Sequence, residues 1–173
     1  MRHDYDTHML VRVDLARISI REMTDTQFIT LVECDGDRSF PIAIGLPEAF
    51  AIERRLRRIE VPRPQTHDLL GSVIVHLEGS LQRIVIHSLD QGTYYASLMI
   101  LKDGEEIEVD CRPSDAIALG IAERVPMFVN EDVLQEAVAD AAAEEEASGT
   151  KEDEGWSPEF GDDDDDDDDE SWL

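Results

Sequence analysis

The stretch that most constrains the fold is residues 107–124, IEVDCRPSDAIALGIAER, which predicts a strand, a sharp turn and a buried helix. Apolar and acidic residues alternate at its start with the two-residue period of a half-buried strand, in which Ile107 and Val109 face inward. Pro113 suits the first position of a helix because it has a fixed φ and no N–H. Residues 116–122 are apolar nearly all round, so we expect this helix to be buried on more than one side.

Polar side chains gather where this strand ends and the helix begins. They are Asp110, Arg112, Ser114 and Asp115. Anions and metal-linked phosphates often bind at such places, because a helix N-terminus presents free N–H groups and a positive dipole end. The same residues also have a purely structural interpretation, as dipole partners and as an ion pair that holds the turn.

Two further helix starts carry similar chemistry. Pro47 and Glu48 open a helix after the third predicted strand. Residues 61–70 form a connector stiffened by two prolines, after which Thr66 is expected to cap a helix that carries His67 and Asp68 in its first turn. A catalytic site follows only if these helix starts converge in space.

The rest of the pattern predicts a single α+β domain with a mixed, largely antiparallel sheet and about four helices. Strands are expected at residues 9–20, with a bulge near Ala16, and at 28–34, 39–44, 84–86, 94–101, 107–111 and 126–129. Helices are expected at residues 47–59, 66–77, 113–124 and 130–143. The apolar stripe of the first helix is expected to include Phe50, Leu56 and Ile59. The side chains of the second helix that we expect to be buried are Leu69, Leu70, Val73 and Leu77.

The chain divides into a flexible N-terminus (1–8), a folded domain (9–143) and an acidic tail (144–173). The tail contains eight consecutive aspartates at residues 162–169, whose mutual repulsion predicts disorder. Two aromatic islands interrupt it, Trp156 with Phe160 and Trp172 with Leu173. An acidic segment with apolar residues can dock into an apolar pocket with a basic rim, so a protein partner for the tail is expected.

Charge limits the partners that the domain can bind. The chain has 41 acidic and 15 basic residues. Residues 140–173 hold 17 of the acidic residues and 1 of the basic ones. Residues 1–139 therefore hold 24 acidic and 14 basic residues, which gives them a net charge of −10. A broad basic surface for nucleic acid is therefore excluded, and any such site must be local or bridged by metal. The dense basic cluster at residues 54–58 is either a solvated helix face paired with acidic neighbours or a phosphate-binding patch.

The pattern as a whole resembles the bifunctional nuclease family, small α+β domains of bacteria and plants named for activity on DNA and RNA. The resemblance covers roughly residues 9–138 and is carried by PIAIGLPEAFAI, PRPQTHDLL, DQGTYYASLMI and EIEVDCRPSDAIALGIAERVPMFV. Cys111 stands where a small residue such as alanine is usual in the family. The acidic tail lies outside the matching region.

The resemblance implies metal-assisted phosphodiester hydrolysis of DNA and RNA with low sequence specificity. The candidate catalytic residues are His67, Asp68, Asp110 and Asp115, the candidate ligands of Mg²⁺ or Mn²⁺ are Asp110, Asp115 and Glu48, and the candidate substrate-binding residues are Arg63, Arg112 and Ser114.

The sequence leaves a second class of function open, a non-catalytic regulatory or adaptor domain that binds proteins through its surface and its acidic tail. A variant of the nuclease hypothesis has the tail mimic nucleic acid and occupy the basic cluster at residues 54–58. We also expect a homo-oligomer, because edge strands need cover. No membrane span is expected, and two buried free thiols, Cys34 and Cys111, indicate a reducing, cytoplasmic location.

Overall fold

In the computed structural model, which describes residues 10–21 and 23–148, seven strands form one sheet and four α-helices accompany it. The strands are β1 (Leu10–Ser19), β2 (Thr26–Glu33), β3 (Ser39–Gly45), β4 (Ser80–Asp90), β5 (Thr93–Lys102), β6 (Glu105–Cys111) and β7 (Met127–Asn130). The helices are α1 (Leu46–Leu56), α2 (Thr66–His76), α3 (Pro113–Gly120) and α4 (Glu131–Ser148), and a single 3₁₀ turn (Ile121–Glu123) follows α3.

The short strand β7 joins the two halves of the sheet. The strand order is β3-β2-β1-β7-β4-β5-β6, and the only parallel neighbours among these strands are β4 and β7. The predicted mixed, largely antiparallel sheet and α+β class are therefore confirmed. The bulge expected near Ala16 is also present, because the pairing of β1 with β2 shifts register between Leu15 and Arg17.

The sheet curls around its core until β3 and β5 meet. Tyr94 on β5 stacks on Phe40 of β3 with ring centroids 5.8 Å apart, and the Tyr94 hydroxyl donates to the carbonyl oxygen of Pro41 at 3.4 Å. Burial raises the pKa of Tyr94 to about 12, so its phenol remains a donor at neutral pH. Pro41 is tolerated within the sheet because β3 is an edge strand.

Helix α3 lies at the centre of the core, as predicted for a helix that is apolar nearly all round. Its residues from Ala116 to Leu119 are buried, and they pack in the same cluster as residues of β1 to β5, β7, α1 and α4. The helix approaches the sheet closely at its last residue. A Cβ added to Gly120 would lie 2.8 Å from Cδ1 of Ile84 and 3.1 Å from Cβ of Val125.

Because α3 occupies the central position, α2 forms an outer layer, and the prediction that its leucines lie inside is wrong. The apolar side chains predicted to be buried are between 40% and 63% exposed, namely Leu69, Leu70, Val73 and Leu77. Instead, α2 packs on the core through Ile74, and Gly71 faces Leu119 of α3. We call Leu69, Leu70, Val73 and Leu77 the α2 stripe.

Strand β6 is likewise not a half-buried central strand but an edge of the sheet. Its inward-facing residues Ile107 and Val109 are 43% and 40% exposed, because α3 covers β4 and β5 and does not reach as far as β6. The stretch that organises the chain in sequence therefore contributes its helix, and not its strand, to the centre of the fold.

Other expectations need smaller corrections. Helix α1 buries only a narrow face with Ala49 and Ile52, so the predicted apolar stripe residues Phe50, Leu56 and Ile59 remain about half exposed at the edge of the domain. Gln65, not Thr66, is the N-cap of α2, and its N–H donates to Asp68 Oδ2 at 3.0 Å. Both cysteines are free, but Cys34 is exposed because it lies in the turn after β2.

The ends of the chain are covered only in part. Helix α4 continues to Ser148, five residues beyond its predicted end at residue 143. Most of the predicted acidic tail and the predicted flexible N-terminus lie outside the described residues. No helix of residues 10–21 and 23–148 has the length and apolar character needed to cross a membrane.

We predict opposite effects for two Gly→Ala substitutions in neighbouring helices. Gly120→Ala should lower the free energy of unfolding by about 1–3 kcal/mol, because its methyl group meets the buried Ile84 and the partly buried Val125. Gly71→Ala should raise it by about 0.5–1 kcal/mol, because its methyl group makes only an ordinary 3.5 Å contact with Leu119 and alanine favours a helix. Urea unfolding measures both, and equal effects would contradict the close packing of α3.

Candidate functional site

The N-termini of α1, α2 and α3 converge, and one residue from the first turn of each lies at the meeting point. Glu48 comes from α1, His67 from α2 and Asp115 from α3, and Arg112 at the N-cap of α3 lies between them. Prolines in the first turns of α1 and α3 favour helix formation immediately after a strand. The condition that the helix starts converge is therefore met, and we call these four residues the cluster.

Arg112 connects the two carboxylates of the cluster. Its Nε and Nη2 donate to Asp115 Oδ2 and Oδ1 at 2.7 and 3.0 Å, and its Nη1 lies 2.9 Å from Oε1 of Glu48. The hydrogen bond to Asp115 raises the pKa of Arg112, so the guanidinium is always charged. A guanidinium has five N–H donors, of which these pairs use three. The Arg112 side chain is 64% exposed, so its other donors can reach a ligand.

His67 and Asp115 form a dyad. Nε2 of His67 lies 3.2 Å from Oδ1 of Asp115, and the His67 side chain is mostly buried. Burial raises the pKa of Asp115, but hydrogen bonds from Arg112 and His67 outweigh burial and hold that pKa below its usual value. An ionised Asp115 can only accept a hydrogen bond, so it favours the His67 tautomer in which Nε2–H donates and Nδ1 carries a lone pair. No residue in the described part of the chain makes a hydrogen bond to that Nδ1.

The cluster opens onto a cleft of about 650 Å³. Glu48, His67, Arg112 and Asp115 all line it, and its walls also include Pro47 and Pro64. A cleft of this size accommodates a nucleotide-sized group. A second cleft of about 410 Å³ lies on the far side of Glu48 and Arg112 and is lined by Ser114.

Asp68 follows His67 in the sequence, but its carboxylate pairs with α1 and not with the cluster. Arg54 Nη2 donates to its Oδ2 at 2.8 Å, Arg55 Nη1 donates to its Oδ1, and the N–H of Gln65 also donates to Oδ2. Burial raises the pKa of Asp68, and these partners lower it below its usual value. Arg55 also donates to the carbonyl oxygen of Leu119 at 3.0 Å and so attaches α1 to α3. The first two arginines of the basic cluster at residues 54–58 are thus paired with an acid.

The remaining predicted residues are not brought into the cluster. Asp110 is exposed on the edge strand β6 and forms no ion pair with the other candidates among the described residues. Arg63 is exposed in the connector before α2 and has no partner within the described residues. Ser114 is buried on α3 and faces the second cleft. Sequence patterns did not reveal the pairing of Arg54 and Arg55 with Asp68, although the basic cluster was visible.

The candidate metal ligands do not fit a resident divalent ion as they are arranged. Both oxygens of Asp115 and one oxygen of Glu48 are taken by Arg112, so a guanidinium already occupies the position between the two carboxylates where an ion would bind. No group of three or more His, Cys, Asp or Glu side chains in residues 10–21 and 23–148 is placed to hold a metal ion. The positive charge that the cluster offers a ligand is therefore that of Arg112.

Cys111 is not a nucleophile despite its place directly before Arg112. Burial, with the charges of Asp110 and Asp115, raises the pKa of Cys111 to about 12. Its thiol therefore stays protonated, and Sγ lies 3.5 Å from the carbonyl oxygen of Ala96 as a weak donor.

We predict that the stabilising effect of Asp115 depends on pH. Because its pKa is lower in the folded state than the usual value of about 3.9, its ion pairs stabilise the fold above that value and are lost as pH falls through the folded pKa. Asp115→Asn should therefore lower the free energy of unfolding at neutral pH and converge on the parent chain in acid. Asp90→Asn, at an exposed site, is the control, and a difference that is constant with pH would contradict the prediction.

Comparison with known proteins agrees with this architecture. The bifunctional nuclease domain model matches residues 29–142. An uncharacterized protein of Mycobacterium tuberculosis is 37% identical over 145 residues, which cover 82% of this chain and 87% of that protein. Bifunctional nuclease 1 of Oryza sativa subsp. japonica is 27% identical over 117 residues, 65% of this chain and 35% of the plant protein. The chain belongs to the bifunctional nuclease domain family.

Proposed function

We propose that the cluster hydrolyses phosphodiester bonds of DNA and RNA with low sequence specificity. The observation that carries the proposal is the His67–Asp115 dyad beside the exposed guanidinium of Arg112, in a cleft at three converging helix N-termini. Family membership and the similarity to a plant protein named as a nuclease support the reaction class.

Arg112 binds the phosphate. Its two remaining N–H donors can contact the two non-bridging oxygens of a phosphodiester, and the dipoles of α1, α2 and α3 favour negative charge at the same point. Glu48 and Asp115 hold the guanidinium in position and keep it charged. Contacts to phosphate carry no sequence information, which accounts for the proposed low specificity.

His67 transfers the proton. Its Nδ1 accepts a proton from a water molecule as the water oxygen forms a bond to phosphorus, and Asp115 stabilises the resulting imidazolium. The bond between phosphorus and one sugar oxygen then breaks, and the imidazolium returns a proton to that leaving oxygen. No step needs a group other than water, the phosphodiester and the cluster.

The expectation of Mg²⁺ or Mn²⁺ remains a prediction, as do the roles assigned to Asp110, Arg63 and Ser114. A metal that assists the reaction would have to displace Arg112 from the carboxylates or arrive with the substrate, because the cluster oxygens are already paired. The predicted cytoplasmic location also stays a prediction.

A non-catalytic binding domain is the second candidate function, and one observation favours it. The α2 stripe presents four apolar side chains to solvent. Exposed apolar patches of this kind mark protein–protein interfaces. We infer that the partner is a second copy of the chain, so that the chain forms the homo-oligomer predicted from the sequence.

We predict that cleavage depends on the dyad. His67→Gln and Arg112→Gln should each reduce cleavage of single-stranded DNA, duplex DNA and RNA by about 100- to 10,000-fold. Asp90→Asn should leave it unchanged. Assays in Mg²⁺, Mn²⁺ and EDTA test the metal, and Asp110→Asn tests the role of that residue. Cleavage that persists without His67 would refute this site, and no cleavage by the parent chain under any condition would favour the binding domain.

We predict that self-association uses α2 rather than β6. Antiparallel pairing of two β6 strands would place Glu106, Glu108 and Asp110 opposite like charges, which is unfavourable. Val73→Glu should therefore shift the sedimentation coefficient from dimer to monomer, whereas Glu106→Gln should not. A parent chain that sediments as a monomer, or a Val73→Glu variant that remains a dimer, would contradict this interface.

A further inference from the structure

A cleft remote from the cluster collects arginines from three parts of the chain. Its volume is about 410 Å³, and Arg12 of β1, Arg58 after α1 and Arg124 after the 3₁₀ turn all line it. Its one acidic lining residue is Asp14. We call this the arginine cleft.

The side chains of these arginines form no hydrogen bond or ion pair within the described part of the chain, although acidic residues outnumber basic ones 41 to 15. Six other arginines do form ion pairs there: Arg38, Arg54, Arg55, Arg57, Arg83 and Arg112. The lining of the arginine cleft therefore carries three positive charges against the single negative charge of Asp14.

The backbone places two of these side chains with some strain. Arg58 and Arg124 have φ values of 53° and 55°, in the left-handed region that favours glycine. Each follows a helical segment whose C-terminal dipole end favours a cation. Arg58 and Arg124 therefore place positive charge along the lining of the cleft.

The floor of the arginine cleft is apolar. Leu15, Ile121, Val125 and Met127 line it, and Leu56 beside them is 50% exposed. A ligand that matches this surface carries several negative charges and a large apolar group. A single-stranded nucleic acid supplies phosphates and bases, but the lining of this cleft contains no aromatic side chain on which a base could stack. An acidic peptide with an aromatic residue supplies the charge and an apolar group that suits an aliphatic floor.

We propose that residues 162–173 of the same chain, DDDDDDDDESWL, dock into the arginine cleft. The aspartates pair with Arg12, Arg58 and Arg124, and Trp172 with Leu173 covers the apolar floor beside Leu56. This places the acidic segment on a different set of arginines from the cluster at residues 54–58, where Arg54 and Arg55 are held by Asp68.

The length of the chain permits this contact. Residues 149–161, which follow the end of α4, span up to about 45 Å when extended. A folded domain of this size has a radius of gyration of about 14 Å. A tethered segment also has an effective concentration of about millimolar, so weak individual ion pairs suffice.

Tryptophan fluorescence tests the proposal directly, because both tryptophans of the chain, Trp156 and Trp172, lie beyond α4. In full-length Trp156→Phe, emission reports Trp172 alone. At an ionic strength of about 0.01 M, where the Debye length is about 30 Å, we expect blue-shifted emission and acrylamide quenching several-fold weaker than for N-acetyltryptophanamide. Both effects should disappear at about 1 M salt, where the Debye length is about 3 Å.

Matched variants assign the contact to the arginine cleft. The triple variant with Arg12→Gln, Arg58→Gln and Arg124→Gln should expose Trp172. Replacement of the eight aspartates at residues 162–169 by asparagine should expose it as well, and this second variant leaves the sequence of the folded domain unchanged. Arg17→Gln with Arg21→Gln removes exposed arginines outside the cleft and should have no effect.

Four results would overturn the proposal. The first is that acrylamide quenches Trp172 at low salt as strongly as it quenches N-acetyltryptophanamide. The second is protection that survives the triple arginine variant. The third is protection that grows with protein concentration, which means docking on a second copy. The fourth is binding of oligo(dT) that requires the three arginines while Trp172 does not respond, which would make the arginine cleft a nucleic-acid site.

Discussion

Burial of α3 is the constraint on which the rest of the structure depends. An apolar helix with alanine and glycine on its faces packs closely against β4 and β5, and Gly120 leaves no room for a side chain above Ile84. With α3 in that position, α1 and α2 can pack only against its flanks. Their N-termini then lie beside the N-terminus of α3, and Glu48, His67 and Asp115 meet at Arg112. The cluster is thus a consequence of core packing.

Arginine organises the charges of this acidic domain. Arg112 joins α3 to α1, Arg55 joins α1 to both α2 and α3, and Arg38 joins Glu33 of β2 to Glu131 of α4 with Nε and Nη1 distances of 2.7 Å. A planar guanidinium suits this purpose because it can contact two carboxylates at once. Such pairs between elements fix the relative positions of helices, which isolated surface pairs do not.

The same property shapes the chemistry that the cluster can perform. A bridging arginine between two carboxylates offsets one of their two negative charges. In the proposed function, a phosphate bound there would meet the exposed guanidinium edge and the positive ends of three helix dipoles. A domain with a net charge of −10 outside its tail can in this way offer a local anion site. In the proposed mechanism, the imidazole of His67 is the proton-transfer group beside the guanidinium.

Much of the fold could be predicted from the sequence, because local patterns have local causes. The two-residue alternation of apolar and polar residues predicted the strands, and an interruption of that alternation predicted the bulge near Ala16. Proline followed closely by an acidic residue predicted where α1 and α3 begin. Burial could not be predicted as well. The stripe of α2 has the spacing of a buried face, but α3 is more apolar and takes the central place.

The sequence by itself determined which helix starts carry chemistry, since proline, histidine and acidic residues in a first turn are local features. Only the tertiary structure decided that Asp115 pairs with His67 across 48 positions while Asp68, adjacent to that histidine, is held by Arg54 and Arg55. The physical reason is that a side chain's partner depends on which elements pack together. The convergence of Arg12, Arg58 and Arg124 has the same origin, because β1, α1 and the 3₁₀ turn meet only when the sheet and its helices are assembled.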